Sequence, residues 1–155
     1  MQLTTTDRAK LQGVSPRLVQ VVQRAAAITT QSFVVFEGLR TLATQREYVR
    51  RGVSRTMNSK HLVQPDDLGH AVDLVPWIEG RPRWEWGAIY PIALAMAEAA
   101  QELGCSDLVW GGVWDKFIIE LPRTVAGIQG EVSRYCARHP GPDFIDGPHY
   151  QLGKS

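Results

Sequence analysis

Apolar residues recur at helical spacing in Leu18, Val21, Val22 and Ala25, directly after Ser15-Pro16. Serine suits the cap and proline the first turn, so the pattern predicts an amphipathic helix there. Phe33-Val34-Val35-Phe36 is an apolar run short enough for a buried strand, and the glycine in Glu37-Gly38-Leu39-Arg40 permits a sharp turn after it. A second helix is predicted over about Leu42 to Arg51, with Gly52 as its stop. Residues 53–69 are polar and irregular, and Gln64-Pro65-Asp66-Asp67 reads as a loop. Ala71 to Val75 predicts a strand whose alternation puts Ala71, Asp73 and Val75 on one face and Val72 and Leu74 on the other. Ile92, Ala95, Met96, Ala99 and Leu103 keep helical spacing, so the longest helix is expected between about Pro91 and Leu103, closed by Gly104. Leu108-Val109-Trp110 predicts a strand leading into Gly111-Gly112, and a further helix is expected near Val125 to Arg138. After the loop His139-Pro140-Gly141-Pro142, a last strand is expected over about His149 to Leu152. Helices and short strands mix without regular βαβ alternation, which predicts an α+β domain with a short, mainly antiparallel sheet packed with helices.

A chain of 155 residues with 21% charged residues fits one globular domain, residues 1–155, with a single core. The net charge of +1 argues against a dedicated nucleic-acid binder, but it hides an asymmetry. Residues 1–60 carry ten Lys/Arg against three Asp/Glu, and residues 61–155 carry seven against thirteen. The basic part suits an anionic polymer such as a cell wall, or is simply a set of solvated helix faces. No apolar run approaches the roughly 18 residues of a membrane span, and Met1 to Lys10 lacks the apolar stretch of a signal peptide. Synthesis as a cytoplasmic chain without membrane insertion is expected. Cys105 and Cys136 stand outside any metal-ligand spacing and are expected to be reduced.

The candidate chemistry lies in three separated fragments: Ser59-Lys60-His61, Gly69-His70-Ala71-Val72-Asp73 and Asp146-Gly147-Pro148-His149. Two imidazoles and one carboxylate can hold a zinc ion at about 2.0–2.2 Å and leave a fourth position for water. Asp73 inside a strand needs a cation or hydrogen-bond donors if it is buried. Asp146 stands three residues before His149 and can handle the proton of an attacking water. Arg40 is a candidate for stabilising an oxyanion, and Ser59 for hydrogen bonding to substrate or behind the site. Taken singly, each histidine also has a structural or exposed reading, and the spacing from His61 to Asp73 matches no short helical zinc signature. Packing is the default for the five tryptophans, with Trp110 the one expected beside the cleft as a substrate contact.

The ordered pattern S-x-H, G-x-A-x-D, D-x-x-H resembles the zinc peptidases of the D-alanyl-D-alanine carboxypeptidase and L-alanyl-D-glutamate endopeptidase superfamily (peptidase family M15), especially the short phage endolysin forms. The likeness runs through Phe36 to Thr41, Ser54 to His61, Trp110-Gly111-Gly112 and Phe144 to Leu152, and covers about Gly13 to Leu152. It implies His61, Asp73 and His149 as zinc ligands in a cleft on the sheet, Asp146 as acid/base and Arg40 near the substrate carbonyl. It also implies hydrolysis of a stem-peptide amide in bacterial peptidoglycan by a monomer, most simply an L-alanyl-D-glutamate endopeptidase released by a holin to lyse the host wall. D-Ala-D-Ala carboxypeptidase or dipeptidase activity, a virion-associated role and a non-catalytic peptidoglycan-binding module are the alternatives. His70 falls on the variable position of G-x-A and is the fallback ligand. Two departures from the pattern stand out. Leu62 to Leu68 puts seven residues where the family has two, which predicts a rim loop over the cleft or a displaced His61. The stretch from Trp114 to Asp146 is also long, either a groove wall or packing.

Overall fold

A computed structural model describes residues 1–141 and 144–155; Pro142 of the expected loop lies outside the described residues. The helices are α1 (Thr5–Lys10), α2 (Pro16–Ile28), α3 (Leu42–Arg50), α4 (Trp86–Glu102) and α5 (Val125–Arg138). The strands are β1 (Phe33–Glu37), β2 (Ala71–Ile78), β3 (Arg81–Pro82), β4 (Leu108–Trp110), β5 (Val113–Phe117) and β6 (His149–Leu152). They form one sheet in the order β1-β2-β6-β4-β5, with β3 paired to β2, and every pairing is antiparallel. The α+β expectation holds.

One side of the sheet carries the core. Val72, Leu74, Leu108, Trp110, Tyr150 and Leu152 are buried there with Leu18, Val21, Val22 and Ala25 of α2. The alanines of α4, Ala93, Ala95, Ala97, Ala99 and Ala100, are buried too, and their small side chains let the helix lie close to its neighbours. Alternation sends Asp73 on β2 and His149 and Gln151 on β6 to the opposite side. That parity, set by core packing, delivers the polar residues to one place.

Four elements differ from the sequence expectations. α1 forms because Thr4 and Asp7 make a reciprocal capping box. The other Asp7 oxygen accepts the backbone N–H of Val35 at 2.9 Å, which satisfies a donor on the edge strand β1. β2 runs on to Ile78 and turns into β3 through Glu79 and Gly80, both at positive φ, the requirement of a two-residue hairpin turn. α4 starts at Trp86, so Pro91 sits inside it. Proline there deprives the carbonyl of Gly87 of its partner, and Gly87 is exposed to water that can replace it. β5 follows β4 after the two glycines of Trp110-Gly111-Gly112, where a Cβ on Gly112 would lie 2.5 Å from the Trp110 ring.

Tyr150 Oη is the one buried side-chain polar atom among the described residues without a partner in the protein. Removing an unsatisfied hydroxyl costs no hydrogen bond. Tyr150→Phe should leave stability unchanged or raise it by up to about 1 kcal/mol in chemical denaturation. A loss of about 1 kcal/mol or more would mean that the hydroxyl is hydrogen-bonded after all.

Candidate metal centre

The sheet register builds the site. Asp73 on β2 lies directly opposite His149 on β6 and is paired with Glu37 on β1. Three polar residues thus form a row across three strands. His61 comes from the irregular segment between α3 and β2. Its carbonyl accepts the backbone N–H of Arg40 at 2.8 Å, its own N–H donates to Ser59 Oγ at 3.2 Å, and the side chain is almost wholly buried.

The arrangement leaves a place for a cation. His61 Nδ1 lies 2.8 Å from the carbonyl oxygen of Gly38, which can only accept, so Nδ1 carries the hydrogen and Nε2 presents a lone pair. His149 Nε2 lies 2.9 Å from Gln151 Oε1, which turns Nδ1 inward. His61 Nε2 and His149 Nδ1 each stand 3.2 Å from Asp73 Oδ1. With both rings neutral, three acceptors face one another and nothing donates between them. A shared cation or protonated imidazoles relieve that repulsion. Atoms bound about 2.0–2.1 Å from a tetrahedral zinc ion lie about 3.3 Å apart, close to the spacing seen. The three donor atoms all fall within 4.8 Å of one another, so the set fits a metal ion. Hydrogen bonds on the far nitrogens are also what metal-binding histidines need to hold their orientation.

Charge balance follows the same geometry. In the metal-free protein burial pushes the Asp73 carboxyl up, but hydrogen bonds from His149 and His61, made when those rings are protonated, outweigh it and hold the group well below the usual carboxylate range. Burial lowers His149, yet the hydrogen bond to Asp73 and its charge reverse this, so the ring titrates above an ordinary histidine. Asp146 is raised, first by burial and then by the negative charge of Asp73, with His149, His61 and Arg40 opposing. A bound dication would add to the opposing side. No hydrogen bond among the described residues engages the Asp146 carboxyl, and it lines the same cleft as the triad.

That cleft has a volume of about 550 Å³ and includes Arg40, Ser59, Trp114 and Phe144. Arg40 is held rigidly: its guanidinium grips both oxygens of Glu37 at 2.5 and 2.7 Å, and Nη1 reaches Gln45 Oε1 at 2.6 Å and Ser59 Oγ at 3.4 Å. Burial of that guanidinium favours deprotonation, but the Glu37 partnership more than compensates and keeps it charged. Ser59 accepts from both Arg40 and the His61 backbone, so it braces the site from behind as well as lining it. Gln45 is fully buried, receives Arg40 and donates to Thr56 O at 2.5 Å, tying α3 to the segment before His61. Its role is invisible in sequence because only the folded α3 turns it inward.

Trp110 requires correction as a substrate contact. It is completely buried on the core face and is not among the cleft residues. Its register partner is Tyr150, whose parity on β6 is opposite to that of His149. Its indole N–H donates to Gly147 O at 2.6 Å, supporting the turn between Asp146 and His149. Trp114 takes the place expected of it, 5.3 Å from the His149 ring, with its N–H donated to Phe144 O. Trp84 is exposed and meets Phe36 edge-on at 5.7 Å. His70 is bound to Asp66 at 2.8 Å and stands outside the triad, and His139 pairs with Asp115 at the surface. The Leu62–Leu68 insertion folds on itself through a Val63–Gly69 bridge. It leaves His61 in place and walls a neighbouring hollow, so it is no rim of the main cleft. The long stretch after Trp114 includes α5, which packs on α4 and β5.

Gly111 shows how tightly the Asp146 turn is set. Its N–H donates to His149 O and its carbonyl accepts from Asp146 N, both at 2.8 Å. A Cβ there would lie 2.1 Å from the Asp146 carbonyl oxygen. Gly111→Ala should therefore shift Asp146 and lower turnover by about tenfold or more, in keeping with the cost of misplacing a reacting group by 1 Å. Unchanged kinetics in a folded Gly111→Ala protein would show that the turn can yield.

A buried His–Asp–His triad that could hold a metal ion, with the Asp146 carboxyl in the same open cleft, is the donor set a metal-dependent hydrolase needs. The family model described as phage L-alanyl-D-glutamate peptidase matches residues 1–120. The L-alanyl-D-glutamate peptidase of Escherichia phage T5 is 30% identical over 110 residues, covering 68% of this chain and 76% of that protein. The crystal structure of the Serratia marcescens L-Ala D-Glu endopeptidase ChiX superposes with a TM-score of 0.71 at 35% identity, over 98% of this chain and 90% of that one. The chain belongs to the phage L-alanyl-D-glutamate peptidase family. The matched family span holds His61 and Asp73 and stops before Asp146 and His149, which the structural match spans.

Proposed function

We propose that this protein is a zinc-dependent peptidoglycan endopeptidase that hydrolyses the L-alanyl-D-glutamate bond of the stem peptide. The observation that carries the reading is the convergence of His61 Nε2, His149 Nδ1 and Asp73 Oδ1, three acceptors that call for a cation, in one cleft with Asp146. His61, Asp73 and His149 would hold the zinc ion, which would supply Lewis acidity to the scissile carbonyl and to an attacking water. Asp146, whose carboxyl has no hydrogen-bond partner among the described residues, takes the proton of that water and delivers it to the departing amine of D-glutamate. Arg40, kept charged and fixed by Glu37, adds positive potential to the cleft wall where the carbonyl oxygen becomes negative. Ser59 and Gln45 hold that guanidinium in place rather than reacting themselves.

That the T5 relative is a phage peptidase supports a role in phage-driven lysis; synthesis in the host cytoplasm and action on the wall as a monomer are part of the same proposal. Among the described residues no helix is long and apolar enough to cross a membrane.

Chelation tests the reading. Dialysis against a strong chelator should abolish release of amino groups from purified peptidoglycan, and one equivalent of zinc should restore it. Full activity in the chelated, metal-free protein would refute the metal assignment. Acid should release the ion as well. His149 must shed its proton to bind, and in the metal-free protein it titrates above the ordinary value of about 6.5. Zinc affinity should therefore fall by about tenfold per pH unit below that range for each proton displaced, read by chelator competition between pH 8 and 5.

A further inference from the structure

The amide of Gln151 has an orientation forced by its neighbours. Nε2 lies 2.7 Å from the carbonyl oxygen of Gly153, and a carbonyl can only accept. The donor end of the amide must therefore face Gly153, with a second contact to Ser155 Oγ at 3.0 Å. That leaves Oε1 toward His149 Nε2 at 2.9 Å, and an amide oxygen can only accept from the ring. The hydrogen of neutral His149 is thereby placed on Nε2, and the lone pair on Nδ1, which stands 3.2 Å from Asp73 Oδ1. Gly153 reaches this place through a turn at φ +80° immediately after β6. Gln151 itself is almost fully buried and lines the same cleft as the triad.

We infer that Gln151 is a positioning residue for the metal centre: clamped by Gly153 and Ser155, it fixes the tautomer and ring angle that let His149 bind the metal through Nδ1. The inference rests on the metal reading above and adds the segment after β6 to the working site. His61 reaches the same condition through a backbone carbonyl, Gly38 O, which mutation cannot remove, so the side-chain half of the device is the half open to test.

The test compares zinc dissociation constants for the wild type, Gln151→Leu, Gln151→Glu and Ser155→Ala, measured by competition with a chromophoric chelator. Melting temperatures of the metal-free proteins are recorded alongside. Gln151→Leu should bind zinc about 10- to 100-fold more weakly, the usual cost of losing a partner behind a metal-bound histidine. The visible absorption of its cobalt(II) form should shift as the ligand field changes. Gln151→Glu keeps an acceptor against Nε2–H but loses both donors to Gly153 and Ser155, so its zinc affinity should fall between those of wild type and Gln151→Leu, a partial rescue that packing alone would not give. Ser155→Ala loosens one arm of the clamp and should weaken zinc by a smaller factor without lowering the metal-free melting temperature. If Gln151→Leu does not fold, Ser155→Ala decides: it must bind zinc more weakly than wild type at an unchanged metal-free melting temperature, and wild-type affinity there would overturn the inference. Gln151→Leu with wild-type zinc affinity and an unchanged cobalt spectrum would overturn the inference and leave the metal reading standing. A wild-type protein that binds no zinc would overturn both.

Discussion

Asp146→Asn should retain zinc at wild-type stoichiometry and lose turnover by about 10²–10⁴-fold, the range that general acid–base catalysis contributes. The carboxyl has no hydrogen-bond partner among the described residues, so the substitution breaks no structural contact of its side chain. Its backbone ties to Gly111 and His149 do not involve the carboxyl and persist. Asparagine keeps the shape but cannot take a proton. The loss should fall on kcat, since binding of the stem peptide depends on the cleft walls rather than on this group. Zinc content by atomic emission and kinetics on a soluble muropeptide check the pair of outcomes. Turnover within about threefold of wild type would remove Asp146 from the mechanism.

Asp73→Ala should have the larger effect, because it removes the oxygen to which both imidazoles point. Zinc binding and activity should fall together to background. Thermal denaturation offers an independent readout. At free zinc of about 100 times its dissociation constant, binding adds about 2.7 kcal/mol to stability. For a chain of this size that is roughly 5–10 °C in Tm. Wild type should show the shift and lose it with chelator; Asp73→Ala should show neither. The metal-free variant should still fold, since it leaves two neutral rings in place of an ion-paired cluster. A zinc-dependent Tm shift surviving in Asp73→Ala would place the ion elsewhere.

Much of the site was legible in the chain because its residues stand in short ordered fragments. His61, Asp73, Asp146 and His149 were each recognisable from S-x-H, G-x-A-x-D and D-x-x-H, and the structure brings all four to one cleft. Parity was readable on β2, where Asp73 and Leu74 fall on opposite faces, but not on β4 and β6. Trp110 sits next to the site's glycines, yet its pairing with Tyr150 points it into the core. Gln151 lies two residues past a ligand and looks like an ordinary strand position until β6 has a face. Gln45 and Glu37 brace Arg40 only after α3 and β1 meet. Among the elements, α1 had a readable signal in Thr4-x-x-Asp7, and the β2–β3 turn one in Glu79-Gly80. The early start of α4 had a signal pointing the other way, because Pro91 is usually a first-turn residue. Solvent at Gly87 makes it tolerable inside the helix.

The most direct measurement is mass spectrometry of the products formed from purified peptidoglycan by the zinc-loaded protein, beside a chelated control. Cleavage at the L-alanyl-D-glutamate bond predicts stem fragments with a free amine on D-glutamate and glycan that keeps only L-alanine, all absent with chelator. Release of free D-alanine instead, or the same fragments with chelator present, would contradict the account.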